Sequence, residues 1–199
     1  MAKYTVPGPD SSIEKSEHST TSGIRIKGYK PPNLKPDQPL IYYIHGGGFV
    51  IGSVDEDDRF AEIHCKDTGC VFVSVEYRLA PQHKFPAGFQ DCVDGAKWAI
   101  ENAESLGARK GPIVIMGKSA GGGLALATAL KLLDEGHRKD LHGVVPCQPT
   151  TVHPDAIPEK FKSTYTSYYE NAENTVNTNK AMHALYGTLA PLFSIIWTY

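Results

Sequence analysis

Four short apolar runs recur along the chain: "LIYYIH" at 40–45, "CVFVSVEY" at 70–77, "GPIVIMG" at 111–117 and "LHGVVPCQP" at 141–149. Runs of four to eight apolar residues bounded by turn residues read as strands buried on both faces. Between them lie stretches of another kind. "DEDDRFAEIHCKDT" at 55–68 places acidic residues where a helix start favours them. "FPAGFQDCVDGAKWAIENAESLG" at 85–107 carries Phe89, Val93, Ala96, Trp98 and Ile100, read as apolar residues at helical spacing. "GGGLALATALKLLDEG" at 121–136 is a small-residue helix suited to close packing on a sheet. Strands alternating with helices predict parallel βαβ units, hence an α/β doubly wound sheet.

A half-buried strand is also expected at 23–29, "GIRIKGY", from its alternation. The preceding residues, 1–22, are rich in Ser, Thr, Pro and Gly and are expected to form a mobile tail. The core is therefore bounded at 23–149. After Pro149 the character changes to polar, Tyr-, Thr-, Asn- and Glu-rich sequence, with a short helix expected within 179–189. The chain closes on the apolar "APLFSIIWTY".

With 199 residues, 41% hydrophobic and 21% charged, one globular domain is expected. A net charge of −2 gives no basic excess for nucleic acid or anionic membrane, and no nucleic-acid partner is expected. No apolar run approaches membrane-spanning length, so no stable membrane insertion is expected. The N-terminus carries no apolar signal-peptide core. Cys65, Cys70, Cys92 and Cys147 fit no zinc spacing, and each lies in or beside an apolar run. They read as reduced thiols of an intracellular, cytoplasmic protein, and no metal site is expected. The sequence leaves the oligomeric state open.

Chemistry concentrates at two glycine clusters. Gly117-Lys118-Ser119-Ala120-Gly121 fits G-x-S-x-G, with a strand before it and a helix after it. Such a turn projects the serine hydroxyl above the strand's C-terminal end. The glycines Gly117 and Gly121 relieve crowding, and the N–H of Ala120 opens the helix, where negative charge is favoured. Alone the pattern is weak, because Gly and Ser are common in loops. The second cluster, His45-Gly46-Gly47-Gly48, follows a predicted central strand. Glycines there let main-chain N–H groups approach a substrate without intervening Cβ atoms. A phosphate-binding loop is excluded twice. No Lys-Ser or Lys-Thr follows the glycines of His45-Gly46-Gly47-Gly48, and Pro112 stands where the glycine required before Gly117-Lys118-Ser119 would be.

"HGGGF", "VSVEYRLAPQHKFPAGFQD" and "GKSAGGGLA", in this order and spacing, resemble the hormone-sensitive-lipase-like branch of the α/β-hydrolases, the alpha/beta hydrolase fold-3 group. The resemblance runs from about residue 23 to 149. It implies a partial α/β-hydrolase fold, mostly parallel sheet flanked by helices with the last strands missing. It implies a serine hydrolase of small-molecule carboxylic esters that works without cofactor. By motif position Ser119 matches the nucleophile. Gly47, Gly48 and Ala120 match the oxyanion donors, with Gly46 beside them. His45 matches a histidine that shapes the oxyanion loop and is not the base. "EYRLAP" matches a structural motif, in which Arg78 is expected to pair with a nearby carboxylate, Asp91 being a candidate. Lys118 and Gln82 depart from the family, which often has Asp and Glu there.

In α/β-hydrolases the acid and the histidine follow the serine in the chain. Here one strand follows the serine helix, then comes cap-like sequence at 150–199. The expectation is that the triad acid and histidine are absent and that the chain is truncated. Asp155 with His183 keeps the required order but lies in cap-like sequence. The alternative readings are a non-catalytic small-molecule-binding protein and a fragment without function of its own.

Overall fold

The computed structural model describes residues 8–35, 37–151 and 159. The runs at 41–44 and 72–75 form strands buried throughout and the run at 113–118 one that is largely buried. The run at 141–147, expected to be buried on both faces, forms a strand that is only partly covered, with His142 and Val145 exposed. Along β3 (Ile41–Ile44), Tyr42 and Ile44 face one layer while Ile41 and Tyr43 face the other, the two-residue period of a strand. The remaining strands are β1 (Glu14–Ser19), β2 (Arg25–Lys30), β4 (Phe72–Val75), β5 (Ile113–Lys118) and β6 (Leu141–Cys147). Their order across the sheet is β1-β2-β4-β3-β5-β6. The β4–β3, β3–β5 and β5–β6 pairings are parallel, and β1–β2 and β2–β4 are antiparallel.

Helices α1 (Asp58–Thr68), α2 (Ala87–Asn102) and α3 (Ala120–Asp134) connect the parallel strands. The larger core contains Tyr42, Ile44, Val73 and Val75 of the sheet with Cys92, Val93 and Ala96 of α2 and Leu124 of α3. The smaller core joins Tyr43, Phe72 and Met116 to Ala61 and Cys65 of α1. Three layers result, with α1 on one face and α2 and α3 on the other. Helix α1 begins three residues later than its acidic run, with Asp57 as its N-cap residue, and ends at Gly69 in a left-handed conformation (φ +69°).

One expectation is corrected. Residues 14–19, placed in a mobile tail, form the edge strand β1, paired residue by residue with β2 from Glu14–Lys30 to Ser19–Arg25. The turn between them closes with Thr20 N–H donating to Ile24 O at 2.9 Å. The strand is polar because it lies at an edge. Its anchors are Ile13, buried in the α1 layer, and ion pairs rather than an apolar stripe. Lys15 reaches Asp58 and Glu62 on α1, and Glu17 pairs with Arg25 on β2.

The short helix expected within 179–189, the segment 160–199 and the pair Asp155 and His183 lie outside the described residues.

Candidate active site

Strand order brings the two glycine clusters together. β3 and β5 are parallel neighbours, with Ile44 level with Gly117. The chain leaves β3 toward α1 on one face and leaves β5 toward α3 on the other. This divergence opens a crevice at the carboxyl ends of the two strands, where open α/β sheets bind ligands. His45-Gly46-Gly47-Gly48 and Ser119 therefore start from the same height on adjacent strands.

Ser119 is exposed and has φ +54° and ψ −121°, a left-handed φ that costs a non-glycine residue about 1–3 kcal/mol. The surroundings enforce it. Ser119 N–H donates to Cys147 O at the end of β6 (2.8 Å). Ser119 O accepts from the N–H groups of Gly122 (2.9 Å), Gly123 (3.2 Å) and Thr150 (3.1 Å). The flanking glycines are required by contact. A Cβ on Gly117 would strike the carbonyl of Gly121, and a Cβ on Gly121 would strike the carbonyl oxygens of Ile44 and His45. Ala120 is the first residue of α3, so its N–H has no partner within the helix.

The loop after β3 is a tight turn. Val50 and Ile51 N–H both donate to Gly47 O, at 3.1 and 3.0 Å. Gly47 has φ +116°, and a Cβ there would strike Ile51 O. Gly48 and Phe49 also have positive φ, +60° and +70°. Phe49 is buried in the core and anchors the loop, with Ala80 N–H donating to its carbonyl at 2.9 Å.

His45 is buried and stacks on Tyr77, with ring centroids 4.3 Å apart. Its Nδ1 lies 2.7 Å from Gly46 O, so Nδ1 carries the proton and donates. Burial holds the imidazole below its ordinary value, so it is neutral near pH 7. Tyr77 in turn donates from its hydroxyl to His45 O at 3.1 Å. Tyr77 was not singled out in the sequence, because its role depends on a ring contact across two strands.

Arg78 and Asp91 pair as the sequence suggested. Arg78 donates from Nε to Oδ2 (2.8 Å), from Nη2 to Oδ1 (2.7 Å) and from its main-chain N–H to Oδ2 (2.9 Å). The fork fixes the turn after β4 to α2, beside Tyr77. That turn meets the glycine loop through the Tyr77–His45 stack and the Ala80 N–H bond to Phe49 O.

Lys118, at the residue before Ser119, donates to Asp57 Oδ1 at 2.7 Å. Asp57 was not singled out in the sequence, because 61 residues separate it from Lys118. A cleft of about 140 Å³ lies here, lined by His45, Gly46, Gly47, Ile51, Asp57 and Lys118 among others.

Among the described residues no histidine or carboxylate hydrogen-bonds the Ser119 hydroxyl. His137 pairs with Asp140 at 2.9 Å, beyond the far end of α3, and His142 lies at the start of β6, the end away from Ser119. No group of three His, Cys, Asp or Glu among the described residues is arranged to hold a metal ion. No helix of the described residues is long and apolar enough to cross a membrane.

Comparison with known proteins agrees with this geometry. The model of the alpha/beta hydrolase fold family matches residues 41–193. Versiconal hemiacetal acetate esterase of Aspergillus parasiticus is 42% identical over 184 residues, covering 92% of this chain and 57% of the esterase. A protein of Aspergillus terreus named FAD-linked oxidoreductase pytB is 41% identical over 181 residues, but the match covers only 22% of that protein. The solved structure of a hyperthermophilic esterase from the archaeon Pyrobaculum calidifontis superposes with a TM-score of 0.79 at 34% identity, covering 96% of this chain and 64% of that one. The chain thus spans about three fifths of the length of these esterases. The serine turn on β5, the glycine loop on β3 and the family match over most of the chain agree: this protein belongs to the hormone-sensitive-lipase-like group of the alpha/beta hydrolase fold family.

Proposed function

We propose that this chain carries the nucleophile and the oxyanion hole of a carboxylic ester hydrolase. The observation that carries the reading is the strained Ser119 turn set level with the glycine loop of the neighbouring strand. Ser119 Oγ attacks the ester carbonyl carbon and forms the new C–O bond. The carbonyl oxygen takes up negative charge and is held by the N–H groups of Gly47, Gly48 and Ala120, with Gly46 beside them. The hydroxyl proton passes to a general base and then to the departing alcohol, and water releases the acid from the acyl-enzyme. His45 is not that base. Its Nδ1–H is held by Gly46 O, and the ring is buried under the loop it shapes. Among the described residues no group stands in the place of that base or of its acid partner.

The substrate is a small-molecule carboxylic ester. The name of the Aspergillus parasiticus relative specifies an acetate ester, which makes p-nitrophenyl acetate a suitable probe. The chain is further read as one α/β unit that starts at β1, with residues from 150 onward as cap-like sequence. Its four cysteines are free, which supports a reducing, cytoplasmic location.

The absence of a described partner for the Ser119 hydroxyl favours a second reading, a protein that binds an ester-like small molecule without turning it over. Purified chain treated with a fluorophosphonate probe and with p-nitrophenyl acetate, beside Ser119→Ala, separates the two. The enzyme reading expects labelling and turnover that Ser119→Ala abolishes. Equal signals in both proteins would overturn it. Without a general base, the oxyanion hole and binding alone still leave about 10³–10⁴-fold acceleration over water in a well-studied hydrolase.

A further inference from the structure

The side chain of Lys118 does more than fill the position before the serine. Its stem runs along the glycine loop: a Cβ on Gly46 would stand 3.3 Å from Lys118 Cγ and 3.1 Å from Lys118 O. Its ammonium ends 2.7 Å from Asp57 Oδ1 and 5.2 Å from the centre of the Phe60 ring. Asp57 is itself fixed from three sides. Its Oδ2 accepts from the Tyr43 hydroxyl of β3 (2.8 Å), its Oδ1 from Lys118 of β5, and its carbonyl from Ala61 N–H in the first turn of α1 (3.0 Å). The glycine loop leaves β3 at His45, and the chain re-enters regular structure at Asp57. Gly46, Gly47, Ile51, Asp57 and Lys118 line one cleft. Ile51, at the tip of the loop, is 62% exposed.

We propose that the Lys118–Asp57 ion pair is a positioning device that closes the far side of the glycine loop and holds it in register with the serine turn. The loop's role as oxyanion hole rests on the function proposed above; its mechanical dependence on the ion pair does not. The pair also has an electrostatic sense. Asp57 is only 15% exposed at its side chain, and Lys118 is 40% exposed. Without Lys118, a largely buried carboxylate beside the loop keeps, among the described residues, only the Tyr43 hydroxyl as a side-chain donor. Its uncompensated charge opposes the negative charge the loop must stabilise. Loss of Lys118 is thus more harmful than loss of both partners.

The test compares wild type with Lys118→Met, Lys118→Arg, Asp57→Asn and the double variant Lys118→Met/Asp57→Asn in two measurements. Hydrogen exchange of the peptide covering residues 46–52 reads the loop without reference to activity. It is expected to rise about threefold or more in Lys118→Met and in Asp57→Asn and to stay near wild type in Lys118→Arg, while peptides from β2 and α2 are unchanged. The rate of Ser119 labelling by a fluorophosphonate is expected to fall about tenfold in Lys118→Met, with partial recovery in the double variant. Unchanged exchange at residues 46–52 in Lys118→Met overturns the proposal. So does a rise spread equally over all peptides that Lys118→Arg does not cure, which assigns the pair a general structural role. A wild type that is not labelled overturns the proposed function, while the exchange measurement still decides the role of the pair.

Discussion

The main chain at Ser119 is held in a conformation that serine adopts at a cost, and neighbours on three segments supply the hydrogen bonds that keep it there. Cys147 O, Gly122 N–H and Thr150 N–H all bond to its backbone. The glycines on either side act by contact rather than by flexibility. Gly121 has no room for a methyl group, because two carbonyls of β3 and its loop occupy the space. Neither carbonyl belongs to a flexible side chain that can swing away. Gly121→Ala is therefore expected to destabilise the protein by about 3 kcal/mol. A urea unfolding curve reads this, and an unchanged midpoint would show that the turn is looser than the structure indicates. The same collision moves β3 away from the serine turn, so Ser119 labelling should fall in this variant even where it remains folded.

Among the elements, β1 and α1 show how a polar segment becomes part of a sheet. Glu62 on α1 is 1% exposed at its side chain and accepts from Lys15 of β1 (2.8 Å), Arg59 (2.6 Å) and Asp10 N–H (3.1 Å). Burial pushes its carboxyl upward, but the bonds from Lys15, Arg59 and the Asp10 N–H outweigh it and hold the pKa below the ordinary value near 4.5. The unfolded chain then binds the proton more readily than the folded one. The stabilisation is fully present above about pH 4.5 and is lost as pH falls through the lower folded value. Glu62→Gln is expected to cost about 1–3 kcal/mol at neutral pH and to flatten the decline in stability below about pH 4.5. Denaturant titrations at neutral and acidic pH check both. An equal loss at both pH values would mean that the charge of Glu62 is not what holds β1 to α1.

For the molecule as a whole, the sheet of the described residues ends on β6, whose outer edge pairs with no described strand. β6 is only partly covered, and Val145 is 45% exposed. A partly covered parallel strand with an exposed valine, unpaired on its outer edge among the described residues, is a template for another chain. Val145→Lys is expected to reduce concentration-dependent association of the purified protein, measured by sedimentation velocity or static light scattering. Identical sedimentation of variant and wild type would show that this edge is covered in solution.

The sequence by itself determined the layers and the family. Continuous apolar runs mark β3, β4 and β5 because strands covered on both faces have no polar side to show, whereas β6 reads the same way but is only partly covered. The glycines of the two loops are visible because close backbone approach excludes every larger residue. Arg78 and Asp91 were legible as a pair because the family motif "EYRLAP" singles out the arginine and a carboxylate follows on the next helix. Other features lay beyond a linear reading. β1 is held by ion pairs to residues 43 and 47 positions away, so its own composition looks like a tail. Asp57 meets Lys118, and Tyr77 meets His45, only because β3 lies between β4 and β5. Which residue types are present is a property of the chain, but which of them touch is decided by strand order. That order follows from the packing of helices on both faces of the sheet, which no local stretch of sequence contains.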